Sequence, residues 1–279
     1  MKDIGILILF FNKVDQTIEC VNSFLPSGQN IYVLNNGSDA GQLKKLIQIF
    51  HGNNQLHILD AGKNLGVSGG RNFLISHTKE SWLFFVDNDI VIRQQHTWVE
   101  VFKQFIYSNI GVKIVSPLLY NVHDQVNSPQ IFICLDDNRM QIMTGTFQLS
   151  NCFPGGASII HRSVFEIYGL FDEGMFVGFE DYEFALRAML AENGSLEVHS
   201  LDAIELIHDH RFQKSMKDKE AVRQRYSEEK MKASYDRLVS KYGIAFDHDW
   251  RWWTNKQIHL MTRKESLFAK IKNAIASRL

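Results

Sequence analysis

Four strand-length apolar runs, separated by segments of helical character, constrain the fold of this chain more than any other feature. They are Ile4–Phe11, Ile31–Leu34, Leu56–Leu59 and Trp82–Val86. Each reads as a buried strand. Val14–Leu25 and Leu43–Phe50 are helical in pattern, a helix begins in Ser68–Ser76, and Thr97–Tyr107 is helical again. This alternation predicts an α/β fold with a mostly parallel sheet flanked by helices. Further strands are expected at Val112–Ser116 and Ala157–His161, with a helix from Ser163; segment 117–150 reads as less regular. Residues 211–242 are charged and helical in composition, which predicts a domain over 1–210 and a mainly helical C-terminal extension over 211–279.

The 279 residues carry a net charge of −1, which argues against a general nucleic-acid binder. The charge is uneven: Arg251–Leu279 holds seven Lys or Arg and the single acid Glu265. Trp250, Trp252 and Trp253 stand beside this stretch, and Leu267, Phe268, Ile271 and Ile275 recur near helical spacing within it. Aromatics beside cations suit a lipid headgroup interface, so peripheral membrane contact is one expectation; a helix packed on the domain is the other. Cys20, Cys134 and Cys152 are far apart and read as reduced thiols of a cytoplasmic protein. The first apolar run is too short for a signal peptide or a membrane span.

Open parallel sheets present ligands to the carboxyl ends of their strands. Three polar clusters fall at such ends: Phe11-Asn12, Asn35 to Asp39, and Asp87-Asn88-Asp89. Two carboxylates one residue apart at a rigid strand tip can share a hard divalent cation and leave its other positions to phosphate oxygens. Asp and Asn are also common turn residues. The segment from Lys63 to Asn72 is basic and glycine-rich and leads into a helix, a junction whose amides favour phosphate. It matches neither the dinucleotide nor the P-loop fingerprint. Glu180-Asp181 opens a helix, where a carboxylate can cap the dipole or act as a general base. Ile207-His208-Asp209-His210 could complete a metal site.

The order of these motifs resembles the family 2 glycosyltransferases, inverting enzymes of the glycosyltransferase-A fold. The matching pieces are Phe10-Phe11-Asn12, Val33 to Ser38, Asn64-Leu65-Gly66 with Arg71-Asn72, and Asp87-Asn88-Asp89. Gly155-Gly156-Ala157, Gly169 to Glu173 and Phe179-Glu180-Asp181 follow in family order. The match covers roughly residues 4–210. The resemblance implies a nucleotide-binding catalytic domain in which Asp87, Asp89 and His208 hold Mn2+ or Mg2+ on the donor diphosphate. Asp181 would take the acceptor proton. Phe11, Asn12, Asn35, Asp39, Asn64, Gly66, Arg71, Asp87 and Asn88 would line the donor site, and Gly155, Gly156 and Glu180 the acceptor site. Where the family usually has Asp, this chain has Asn35, and Ala40 replaces another common Asp. A carboxamide matches the edge of uracil or thymine, so a UDP- or dTDP-sugar is favoured.

The resemblance thus implies inverting sugar transfer to a glycan or lipid-linked acceptor in bacterial surface-polysaccharide synthesis; the expected location is the cytoplasm, with the basic C-terminus as the one feature that would bring it to the inner face of the membrane. Two rivals are a sugar nucleotidylyltransferase and a carbohydrate-binding subunit without chemistry. The first usually has a glycine-rich basic loop after strand one, where this chain has Asn12-Lys13-Val14-Asp15. The second has no need of Asp87, Asp89 and Asp181 together.

Overall fold

The computed structural model describes residues 3–122, 125–191, 194–209, 227–246 and Arg251. The expected alternation forms the parallel half of a ten-stranded sheet. β1 (Ile4–Phe10), β2 (Asn30–Asn35), β3 (Leu56–Asp60) and β4 (Trp82–Asp87) pair in parallel in the order β3-β2-β1-β4. Beyond β4 the sheet becomes mixed. β11 (Ala157–His161) lies antiparallel between β4 and β6 (Ile114–Asn121), and β12 (Val198–His208) runs parallel to β6. Short β5 (Ile90–Ile92), β7 (Val126–Asn127) and β10 (Leu149–Ser150) pair antiparallel with the end of β12, with β6 and with the start of β12, respectively.

The unbroken apolar character of β4 has a direct cause: both its faces are covered. Phe84 and Val86 pack with Phe24 of α1 (Val14–Phe24), Leu46 of α2 (Ala40–Ile49) and Trp98 of α4 (Trp98–Ser108). Leu83 and Phe85 pack with Leu74 of α3 (Gly66–Ser76), Phe165 of α5 (Ser163–Tyr168) and Phe184 of α6 (Glu180–Met189).

Segment 117–150 is more regular than its sequence predicts. β8 (Gln130–Asp136) and β9 (Arg139–Gly145) form a hairpin. Its turn is Asp137-Asn138, with φ of 43° and 60°. Asp and Asn tolerate this left-handed geometry, which matches the strand twist of a two-residue hairpin. β9 alternates only weakly in polarity, so its pattern conceals the strand. The described part of the C-terminal segment packs on this same side. α7 (Glu228–Tyr242) buries Met231 and Leu238 in the core beneath α6, and β13 (Ala245–Phe246) pairs with β9. The 210/211 boundary, His210 and the tryptophan-rich basic stretch lie outside the described residues. Among the described residues no helix is long and apolar enough to cross a membrane.

Candidate active site

Sheet register brings the polar clusters to one edge. Leu9 stands opposite Asp87, Phe10 opposite Asn35, and Asn35 opposite Asp60. β12 then delivers His208 by pairing it with Ile90, two residues beyond Asn88, and Asp209 N–H donates to the Asp89 carbonyl at 3.0 Å. The ligand atoms of Asp87, Asp89 and His208 consequently lie within 4.8 Å of one another. Asn88 faces the interior and fastens this tip, donating to Thr17 Oγ1 at 2.9 Å and to the Asn12 carbonyl at 3.3 Å. The Asp89 side chain is 1% exposed, and a carboxylate so buried requires cationic or donor partners. Lys13 Nζ approaches its Oδ2 at 3.2 Å, and His208 Nε2 its Oδ1 at 3.2 Å. Two carboxylates and one imidazole fit a divalent cation such as Mn2+ or Mg2+.

The glycine-rich segment does something other than its sequence suggests. A Cβ on Gly70 would meet Leu9 Cδ1 at 2.4 Å, so glycine here lets α3 lie close on β1. Gly66 has φ of 73°, and a Cβ there would meet the Phe176 carbonyl at 2.5 Å. The first amides of the helix already have protein partners: Leu65 N–H donates to Asn36 Oδ1, Gly66 N–H to Asn64 Oδ1, and Val67 N–H to the Phe176 carbonyl. Asn64 and Gly66 therefore build the loop, and these three amides are not a phosphate cradle. Asn35 is similarly engaged. Its Nδ2 donates to Asp60 Oδ1 at 2.9 Å, and its Oδ1 accepts from Ser38 N–H at 3.0 Å. Asp39 caps α2 by accepting from Gly41 N–H, and Asn12 Oδ1 accepts from Asp39 N–H. Phe11 lies half-buried just past β1.

Arg71 connects the cation cluster to the expected base. It leaves α3 toward the sheet edge, buried, with NH1 3.0 Å from Glu180 Oε1 and NH2 3.9 Å from Asp87 Oδ1. Gly155 and Gly156 make room for this arrangement. A Cβ on Gly155 would meet Arg71 NH1 at 2.4 Å, and one on Gly156 would meet Asp87 Cγ at 2.3 Å. Glu180 Oε2 is buried without a hydrogen-bond partner among the described residues. Asp181 sits beside it at the first turn of α6, half-buried. Burial and the neighbouring Glu180 charge push its carboxyl up to about 7, although Arg71 and the Tyr182 N–H pull the other way. A carboxylate tuned there suits proton abstraction near neutrality.

Two groups that matter here were not singled out in the sequence: Lys13, on Asp89, and Asp60, on Asn35. Lys13 has only its place directly after the first strand to mark it. Asp60 ends β3 in a run that looks like an ordinary turn.

An open α/β sheet that gathers two carboxylates and an imidazole at its strand tips has the architecture of the glycosyltransferase-A fold. Residues 5–169 match the model of glycosyl transferase family 2, and the chain belongs to that family. It is 25% identical over 188 residues to the dTDP-rhamnosyl transferase RfbF of Shigella flexneri, covering 64% of this chain. The chain spans 60% of the length of that relative. Among solved structures it is similar to Staphylococcus aureus TarS 1-349, with a TM-score of 0.57 and 14% identity over 97% of this chain and 73% of that one. It is also similar to GalNAc-T7 crystallised with UDP, GalNAc and Mn2+, with a TM-score of 0.60 and 14% identity over 96% of this chain and 58% of that one.

Proposed function

We propose that this glycosyltransferase moves a sugar from a UDP- or dTDP-sugar, with inversion and with a divalent cation, to a glycan or lipid-linked acceptor in bacterial surface-polysaccharide synthesis. The observation that carries this reading is the Arg71 bridge, which ties the Asp87, Asp89 and His208 cluster to Glu180-Asp181 at one edge of the sheet. Asp87, Asp89 and His208 would hold the cation, whose charge would offset that growing on the diphosphate leaving group. Asp181 accepts the acceptor hydroxyl's proton at a carboxylate oxygen. Arg71 holds Glu180 and keeps the two carboxylate regions in fixed relation. The activated hydroxyl oxygen then attacks the anomeric carbon on the face opposite the leaving diphosphate, which inverts that centre. The dTDP alternative draws support from the name of the rhamnosyl relative, and the UDP alternative from the ligands of the structural neighbours.

Hydrolysis of UDP-, dTDP- and GDP-sugars, with and without EDTA, tests the reading. Release of UDP or dTDP that stops with EDTA and returns with Mn2+ or Mg2+ is expected. Turnover indifferent to EDTA removes the cation, and a preference for GDP-sugars removes the nucleobase assignment. Formation of a nucleotide sugar from a sugar phosphate and a nucleoside triphosphate would favour the nucleotidylyltransferase.

A further inference from the structure

The turn between β1 and α1 is built at a conformational cost. Asn12 and Lys13 both adopt φ of 57°. Asn tolerates this left-handed region, but Lys rarely visits it. Nearly every polar group of the turn is nevertheless anchored. Asn12 N–H donates to Ser38 Oγ, Asn12 Oδ1 accepts from Asp39 N–H and Gln42 Nε2, and Val14 N–H donates to Gln42 Oε1. The Lys13 carbonyl accepts from both the N–H and the hydroxyl of Thr17, each at 3.1 Å. An over-determined strained residue at a strand tip signals a side chain that has to be aimed. This one is aimed at Asp89 Oδ2, 3.2 Å away, with 13% of its side chain exposed.

Resting on the proposed reading of the site, we infer that Lys13 is a donor-diphosphate contact that waits on Asp89. Lysine and divalent cation compete for this carboxylate. Nζ beside Oδ2 neutralises the charge that a cation needs, and a cation on the same carboxylate repels the ammonium. The lysine stem is flexible, and the ammonium is a compact point charge suited to phosphate oxygens. When a cation and diphosphate enter together, the displaced ammonium pairs with a diphosphate oxygen. Lys13 then adds a second positive charge to the leaving group, from the opposite side of Asp89 to His208.

The competition gives Lys13→Met two effects of opposite sign, which general damage to the turn cannot mimic. Mn2+ binding without nucleotide, read by electron paramagnetic resonance, should tighten by roughly tenfold, the change that about 1.4 kcal/mol produces. Binding of UDP or dTDP in saturating Mn2+, read by calorimetry, should weaken by roughly tenfold on the same scale. Lys13→Arg should restore nucleotide binding. Weaker Mn2+ binding by Lys13→Met would overturn the inference and leave Lys13 as a support that orients Asp89. Unchanged nucleotide binding would overturn it as well. If the wild-type protein itself binds neither Mn2+ nor nucleotide, the reading of the whole site fails with it; a wild type that binds both and a variant that matches it refute the lysine alone.

Discussion

The two ends of the proposed site, Asp87 with Asp89 and Glu180 with Asp181, are held in different ways. Asp87 and Asp89 stand on the central strand tip, fixed by sheet register and by Asn88 beneath them. Asp181 stands on the segment 171–183, which contributes no strand to either sheet. That segment is braced from outside. Asn72 of α3 donates to the Phe171 carbonyl and to Glu173 Oε1, and accepts from Phe171 N–H. α7 adds Ser234 Oγ on the Val177 carbonyl, and Arg237 and Lys241 on Asp172. Fully buried Glu183 accepts from Arg187, Lys241 and the Tyr242 hydroxyl. Phe179, held at φ of 66°, packs against Tyr235 and Phe246. The Asp87 and Asp89 carboxylates thus share none of these contacts, whereas the segment that carries Asp181 rests on the C-terminal helix.

The largest effect expected is at the sheet end. Asp89→Asn removes the central ligand charge and should lower cation-dependent transfer by roughly three orders of magnitude or more, comparable with losing a principal electrostatic stabiliser. A folded Asp89→Asn variant with normal turnover in Mn2+ would break the assignment of this end.

At the base end, Asp181→Asn keeps the shape but not the basicity. It should reduce kcat by roughly two to four orders of magnitude, with nucleotide binding intact. In the wild type, kcat should rise with pH through about 7 as Asp181 ionises. Stability moves the opposite way. A carboxyl whose folded value is raised is stabilising while protonated, so the wild type should lose stability relative to Asp181→Asn between about pH 4 and 7. Loss of nucleotide binding with kcat preserved would make Asp181 a helix cap and erase the contrast between the two ends.

An indirect blow to the sheet end should cost less. In Gly156→Ala the new methyl occupies the space of the Asp87 carboxylate. Mn2+ affinity should fall by roughly 10- to 100-fold, the range seen when ligand supports are lost. The kcat of the fully loaded variant should fall far less than in Asp181→Asn. Unchanged Mn2+ affinity would show that Asp87 can move aside freely.

The same contrast explains what the sequence reveals. The parallel half of the sheet was legible because each strand is a short apolar run ending in polar residues. Asp87, Asp89 and Asp181 were legible as motifs. The resting partners were not: Asn35 looks available in sequence, but its amide is engaged by Asp60 and Ser38. Gly70 looks like part of a phosphate loop and proves to be where α3 packs on Leu9. The hairpin was hidden by weak alternation. The bracing by α7 joins Asp172 to residues 65 and 69 positions later, which no local pattern can show.

The smallest effect tests that brace. Burial alone would raise the Asp172 carboxyl, but hydrogen bonds from Arg237 and Lys241 hold it down at about 2. Its stabilisation is therefore present above the ordinary carboxylate range and is lost as pH falls toward about 2. Arg237 and Lys241 are partly in water, so screening reduces the gain, and Asp172→Asn should cost about 1 kcal/mol at pH 7. Ser234→Ala removes the single bond to Val177 and should also cost about 1 kcal/mol. If α7 positions the base, the double variant should lower kcat severalfold and leave nucleotide and Mn2+ affinity unchanged, because the sheet end shares none of these contacts. Equal losses at both ends would mean that α7 supports the domain as a whole, and an unchanged kcat would mean that the Asn72 and aromatic contacts suffice to hold Asp181.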